Sequence, residues 1–166
     1  LLALPSTGLH TSGYSLAQKV LFGVAGLRPD DRAQGLAGTV GEALLAVHRS
    51  YLHAVAPLLR RFPIHAMAHI TGGGLPDNLP RVLPAECGAQ VETRAVPCPP
   101  IFGLIGDLGG ISWEERYRVF NMGFGFVLVV PPESVAAVQE DLRARGEEVY
   151  ACGQILKRQG GGVELL

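Results

Sequence analysis

The chain of 166 residues has little cysteine, little charge and no long apolar run. Each shortage removes a class of protein. Its three cysteines, Cys87, Cys98 and Cys152, are odd in number, widely spaced and free of any C-x-x-C pair, which argues against a disulfide framework and a thiolate zinc site and for a reducing, cytoplasmic setting. Charged residues make up 17% of the chain, below the usual quarter, and 14 Lys and Arg stand against 15 Asp and Glu for a net charge of -1. Such a chain has no basic field for a nucleic-acid backbone or an anionic membrane, so neither is expected as a partner. The longest apolar runs, such as Phe126 to Val130, are strand-sized rather than membrane-sized, and the first residues lack the basic-then-apolar order of a signal peptide.

What the chain does have is 22 Gly and 12 Pro beside a 48% hydrophobic content, the composition of a folded, turn-rich single domain over residues 1–166. The thin charge leaves apolar surface for a partner or a further domain. The opening Leu1-Leu2-Ala3-Leu4, without Met and already extended and apolar, reads as the start of a fragment of something longer. Strands are expected at Leu1 to Leu4, Ile64 to Ile70, Ala89 to Val96 and Phe124 to Val130, with late ones over Val149 to Ile155 and Val163 to Leu166. Helices are expected from Tyr14, from Ile101 to Leu108, after the Ser112-x-x-Glu115 capping box, and from Glu133 to Arg145. Leu44, Val47, Tyr51, Leu52, Val55, Leu58 and Leu59 share one helical stripe, which predicts a long amphipathic helix from about Gly41 to Leu59, kinked or ended at Pro57. Alternating strands and helices predict an α/β (α+β) fold, one mixed β-sheet with flanking helices.

Two loops concentrate groups that bind anions. Ser6-Thr7-Gly8-Leu9-His10-Thr11-Ser12-Gly13 crowds hydroxyls round a histidine before a helix, where free amides and hydroxyls can seat phosphate; capping and turning are the plainer use of the same residues. Thr71-Gly72-Gly73-Gly74 follows a strand, and successive glycines leave amides free to face an anion. It matches neither G-x-G-x-x-G nor G-x-x-x-x-G-K-[ST]. The histidines, His10, His48, His53, His65 and His69, give no metal site by spacing. His65 and His69 would lie ~13 Å apart along a strand, and His48 and His53 are misplaced for one helix face. No G-x-S-x-G nucleophile elbow is present. Asn121, between a helix end and the strand from Phe124, has an amide able to hold a ligand's polar edge or simply the junction itself.

Taken together, Pro5 to Leu16, His69-Ile70-Thr71-Gly72-Gly73-Gly74-Leu75-Pro76-Asp77-Asn78-Leu79-Pro80-Arg81-Val82-Leu83-Pro84 and Phe120-Asn121-Met122-Gly123 resemble, in order and spacing, the carboxy-terminal half of the phosphoribosylformylglycinamidine cyclo-ligase (aminoimidazole ribonucleotide synthetase) family. The match runs over nearly the whole chain. The resemblance implies ATP-dependent closure of the imidazole ring of formylglycinamidine ribonucleotide in purine biosynthesis. It implies a carboxy-terminal domain packed on an amino-terminal ATP-binding domain, the site in the cleft between them, ATP and Mg held largely by that other domain, and a cytoplasmic homodimer at full length. By the same resemblance His10 and Asn121 are catalytic, orienting substrate. Ser6, Thr7, Gly8, Thr11, Ser12, Gly13, His69, Thr71, Gly72, Gly73, Gly74, Asn78 and Arg81 bind substrate and phosphate, and none of them is a metal ligand.

The family's Asp-Gly-x-Gly-Thr-Lys segment is absent from this chain, so it is expected to be inactive alone. Ser12 stands where the family usually has Asn, and Val47-His48 where it has Pro-Thr. Another ATP-dependent enzyme of the superfamily, such as a selenophosphate synthetase, a thiamine-monophosphate kinase or a hydrogenase-maturation protein, is the nearest alternative. A non-catalytic binding or oligomerisation module is the alternative from a different class. The continuation Pro80 to Pro84 favours the ligase.

Overall fold

In the computed structural model, which describes residues 1–158 and 161–166, the apolar run after Gly123 becomes strand β4 (Phe124–Val129), the centre of a four-stranded sheet. β1 (Leu2–Pro5) and β2 (Ala66–His69) flank it, and β5 (Tyr150–Ala151) closes the far edge in the order β2-β4-β1-β5. All three pairings are antiparallel. Successive residues point to opposite faces of a strand, and both faces are covered. Ala3 and Val127 enter one apolar cluster with Leu9, Leu21, Phe102 and Phe120. Leu2, Leu4 and Leu128 enter another with Leu58, Val138 and Leu142. A fully buried Leu is worth roughly 1.5–3 kcal/mol, so a one-residue slip of β1 would mismatch both faces at once, which pins its register.

Helix α1 (Tyr14–Gln18) continues as a π-helical stretch over Lys19–Val24, and α5 (Pro100–Leu108) and α6 (Trp113–Val119) follow the predicted boundaries closely. Ser112 caps α6 as expected, its hydroxyl accepting from the Glu115 N–H at 3.2 Å. Helix α7 (Val135–Ala144) packs Val138 and Leu142 on the sheet. The predicted α/β class with a sheet and flanking helices is what the structure shows.

Two expectations are corrected. The long helix from Gly41 to Leu59 does not form. Its span holds α2 (Val40–Leu44), α3 (Leu52–Val55) and a 3-10 turn over Leu58–Arg60, with irregular backbone from Leu45 to Tyr51. Carbonyls that a continuous helix would use internally are taken by side chains: the Tyr14 hydroxyl donates to Leu44 O and the Thr7 hydroxyl to Val47 O, both at 2.7 Å. Leu45 and Val47, counted or adjacent to the stripe, are 80% and 84% exposed, whereas Tyr51 is buried. Nor is there one sheet. β3 (Cys87–Val91) lies in a separate three-stranded sheet, antiparallel to β6 (Gly153–Lys157) and parallel to β7 (Val163–Leu165). The predicted Ala89 to Val96 strand ends early, because Thr93–Ala95 turns into a 3-10 helix and the Thr93 hydroxyl and N–H both donate to Leu166 O.

Candidate functional site

β4 runs between β1 and β2 and antiparallel to both, so the two strands that enter the candidate loops end beside the start of β4. Pro5 is opposite Phe124 and His69 opposite Phe126. The Ser6–Gly13 loop, the Thr71–Gly74 turn and Asn121 therefore meet at one end of the sheet. Ser6 N–H donates to Gly123 O and Ile70 N–H to Gly125 O, which ties both loop entries to β4. A Cβ placed on Gly72 would lie 3.6 Å from the Ser12 Oγ, so the two anion-binding candidates face each other. Helix α4 (Gly74–Asn78) begins at the last of the three glycines.

Within the glycine turn, Asn78 is buried and donates through Nδ2 to Gly72 O and Gly74 O, while Thr71 Oγ1 donates to its Oδ1 at 3.3 Å. Asn78 thus frames the turn. The Gly74 N–H is used on Thr71 O, but the Gly72 and Gly73 N–H groups have no partner among the described residues. With the Thr71 N–H, which also has no partner among the described residues, those two amides are the free donors of the turn. Arg81, in the 3-10 turn over Pro80–Val82, is exposed and makes no hydrogen bond or ion pair among the described residues.

Asn121 is 2% exposed, and its amide is engaged inside the chain: Oδ1 accepts from Ser6 Oγ at 2.7 Å and from the Gly123 N–H at 2.9 Å, and Nδ2 donates to Gly8 O at 2.8 Å. It fastens Ser6 and Gly8 to the root of β4. Gly8 is buried, Thr7 and Thr11 are exposed, and Ser12 and Gly13 are half-buried. Gly13, at φ 85°, has the Phe120 ring where a Cβ would go.

His10 is 4% exposed and left-handed at φ 59°, a conformation that costs a non-glycine residue roughly 1–2 kcal/mol. Met122, at φ 50°, is the other such residue among those described, at the same end of the sheet. His10 Nε2 accepts from the Thr7 N–H at 3.1 Å, which places the neutral ring's proton on Nδ1, and Nδ1 is buried without a partner. Its ring stacks on His48 at 3.9 Å, and His48 Nε2 meets His69 Nε2 at 3.0 Å. Burial first, then the charges of His48, His69 and Arg49, hold His10 down at about 4; burial and His48 lower His69 too. Both are neutral near pH 7. Tyr51 stands beside them, its hydroxyl donating to Pro5 O, and burial pushes it up to about 12. A cavity of about 560 Å³, lined in part by His48, Tyr51, Leu52, Met67, His69 and Phe126, opens next to the rings, and one of about 670 Å³ touches Ser6, Thr7 and Arg49.

His48 joins this cluster from outside the predicted set. A helix over Gly41 to Leu59 hides it, and only the break at Leu45 to Tyr51 brings it to His10. His53 and His65 are exposed and stay out of the cluster.

The domain class defined by this sheet and its paired loops is matched by known proteins. The family model "AIR synthase related protein, C-terminal domain" matches residues 1–165, and the chain belongs to that family. A phosphoribosylformylglycinamidine cyclo-ligase of Syntrophotalea carbinolica is 45% identical over 157 residues, covering 95% of this chain and 45% of the relative. Those of Anaeromyxobacter sp. and Lactobacillus acidophilus are 50% identical over 151 residues and 42% over 167, covering 90% and 100% of this chain and 43% and 48% of theirs. The chain spans about half the length of the curated relatives it matches. Among solved structures, a thiamine-monophosphate kinase from Stenotrophomonas maltophilia K279a superposes with a TM-score of 0.59 at 15% identity, over 99% of this chain and 49% of that one, a likeness of fold alone.

Proposed function

We propose that this chain is the carboxy-terminal part of an ATP-dependent cyclo-ligase that converts formylglycinamidine ribonucleotide to aminoimidazole ribonucleotide in purine biosynthesis. The observation that carries the reading is identity of 42–50% to cyclo-ligases over 90% or more of the chain, supported by the meeting of the quoted loops at one end of the sheet. The free Gly72 and Gly73 amides and the hydroxyls of Thr11 and Ser12 receive the ribonucleotide and its phosphate, with Arg81 as the cation, while Ser6 and Thr7, whose hydroxyls donate to Asn121 Oδ1 and Val47 O, shape the loop that lines the substrate. His10 and His69 border the reacting end. Asn121 and Asn78 act from behind, holding the two loops in place.

ATP and Mg are proposed to enter chiefly with an amino-terminal half. Mg²⁺ demands oxygen ligands in near-octahedral array. Among the described residues the one group of three or more metal-type side chains is His10, His48 and His69, without a carboxylate. This chain's share of the work is to bind and orient the ribonucleotide. Stabilising a transferring phosphoryl group calls for cations or metal that these loops do not hold. Homodimer formation and a cytoplasmic place belong to the same proposal; among the described residues, no helix is long and apolar enough to cross a membrane.

The test is a coupled assay for ADP release with both substrates. The chain alone should read background, and it should gain turnover when mixed with the amino-terminal half of the Syntrophotalea carbinolica relative. Substrate-dependent turnover by the chain alone would misplace the nucleotide site. Background activity in a mixture shown by sedimentation to be associated would remove the ligase reading.

A further inference from the structure

We propose that His10, His48 and His69 form a binding site for one divalent transition-metal ion, with Zn²⁺ as its representative. One ligand nitrogen from each ring lies within 4.8 Å of the other two, and the His48 and His69 Nε2 atoms are 3.0 Å apart. Two imidazole nitrogens at that distance share a proton or a cation. At ~2.0–2.1 Å from a common ion, three nitrogens stand slightly over 3 Å from one another, so the His48–His69 pair is already at ligating separation and His10, within 4.8 Å, is the ligand that has to close in.

The fold fixes two of the ligands. His69 ends β2, and His10 is held by its left-handed backbone and the Thr7 amide on Nε2. That amide leaves Nδ1 as the His10 nitrogen able to ligate. Nδ1 is also the one buried side-chain polar atom without a partner among the described residues. An orphaned buried donor costs about 1–3 kcal/mol, and an ion in place of its proton removes that cost. His10 and His48 lie 14° from parallel, so one ring must turn before both can point at one ion. His48, half-buried in the irregular segment between α2 and α3, is the less buried of the two rings and the one we assign that turn.

The donor set selects the ion. Imidazole nitrogens suit Zn²⁺, Cu²⁺, Ni²⁺ and Fe²⁺, whereas Mg²⁺ and Ca²⁺ take oxygen. Arg49 lines the same cavity as His48 and His69, and its charge is engaged by Glu147 in an ion pair while it leans over the Tyr51 ring. Three protein ligands leave a fourth position open, the arrangement of reactive rather than purely structural zinc. Because His48 and His69 line the 560 Å³ cavity, that position is within reach of a small molecule or anion entering there. The inference does not rest on the ligase reading, since the ligands and the readout are this chain's own.

The 166-residue chain, stripped with EDTA and dialysed, is titrated with ZnCl₂ by calorimetry and with CoCl₂ by visible absorption. One ion per chain and cobalt d–d bands are expected. His48→Ala should weaken binding by more than the ~10–100-fold typical of losing an outer-shell partner, and His53→Ala and His65→Ala should leave it unchanged. His48→Gln repeats the test with a polar side chain retained, and circular dichroism checks the fold of each. A third arm needs no variant: Zn²⁺ should shield His48 and His69, but not His53 and His65, from diethyl pyrocarbonate as read by mass spectrometry. Absence of stoichiometric binding, equal affinity in folded His48 variants, or equal labelling of all four histidines with and without Zn²⁺ overturns the site.

Discussion

The three glycines after Thr71 do different things, and composition alone does not separate them. Gly74, at φ 58°, is buried with the Tyr117 carbonyl oxygen where a Cβ would stand, so its role is to let α4 pack against the end of α6. Gly73, at φ 93°, would drive a Cβ into the Asp77 side chain. Only Gly72 has ordinary room, 3.6 Å from Ser12 Oγ, with no left-handed φ and a free N–H. Gly74→Ala should therefore cost roughly 3 kcal/mol or more through backbone overlap and left-handed strain. Gly72→Ala should stay within about 0.5–1 kcal/mol of wild type in urea unfolding while weakening ribonucleotide binding by the reconstituted enzyme. Equal loss of stability in the two variants would show that the turn is wholly structural. The sequence makes the turn visible because three glycines after an apolar strand have few uses. Which of them keeps room for a ligand depends on Asp77, one turn on, and on the distant Tyr117 carbonyl, a contact that no local pattern encodes.

At the scale of elements, the parts that were legible are those whose cause is local. Ser112 opening α6, the helix from Pro100 after paired prolines, and the apolar run of β4 depend on neighbours within a few residues. The helix expected through Leu59 fails because its carbonyls are claimed from afar by Thr7 and Tyr14, and a stripe of apolar residues carries no trace of that competition. Of the two uses the sequence offers for the Asn121 amide, a ligand's polar edge or the junction itself, the structure shows the second. The amide joins the entry of the first loop to the root of β4 by hydrogen bonds to Ser6, Gly8 and Gly123. Removing it strands three polar groups in a buried junction. Asn121→Ala is expected to lose about 2–4 kcal/mol in chemical denaturation, and to raise amide exchange selectively over Ser6 to Gly13 in the folded protein. Asn121→Asp keeps the acceptor but sets a buried carboxylate oxygen against Gly8 O, so it should cost at least as much as the alanine variant. If the alanine variant keeps wild-type stability and loop protection, Asn121 is not what holds the loop.

For the whole molecule, the division into two sheets is the feature least accessible from sequence, since strand signals say where a chain is extended and not which strand lies beside it. Leu2 to Pro5 and Phe124 to Leu128 pair although more than a hundred residues separate them, while the strand at Ala89 leaves for a second sheet whose other members come from the last residues. The four-stranded sheet then separates two apolar clusters that share no side chain. That separation has an energetic consequence. Ile105, fully buried in the first cluster, and Leu142, fully buried in the second, lie on opposite sides of the sheet. Ile105→Val should cost about 0.5–1.5 kcal/mol and Leu142→Ala about 2–5 kcal/mol. With no shared neighbours, the double variant should equal their sum to within about 0.5 kcal/mol. Phe102 and Phe120, with ring centroids 5.5 Å apart in one cluster, supply the contrast: Phe102→Leu and Phe120→Leu should depart from additivity by more than about 0.5 kcal/mol. Urea titrations of the six variants and the wild type decide it. A coupling between Ile105 and Leu142 as large as that between the two phenylalanines would mean that the sheet transmits packing changes between its faces, and the end of the sheet that carries the histidines would then respond to substitutions on either side.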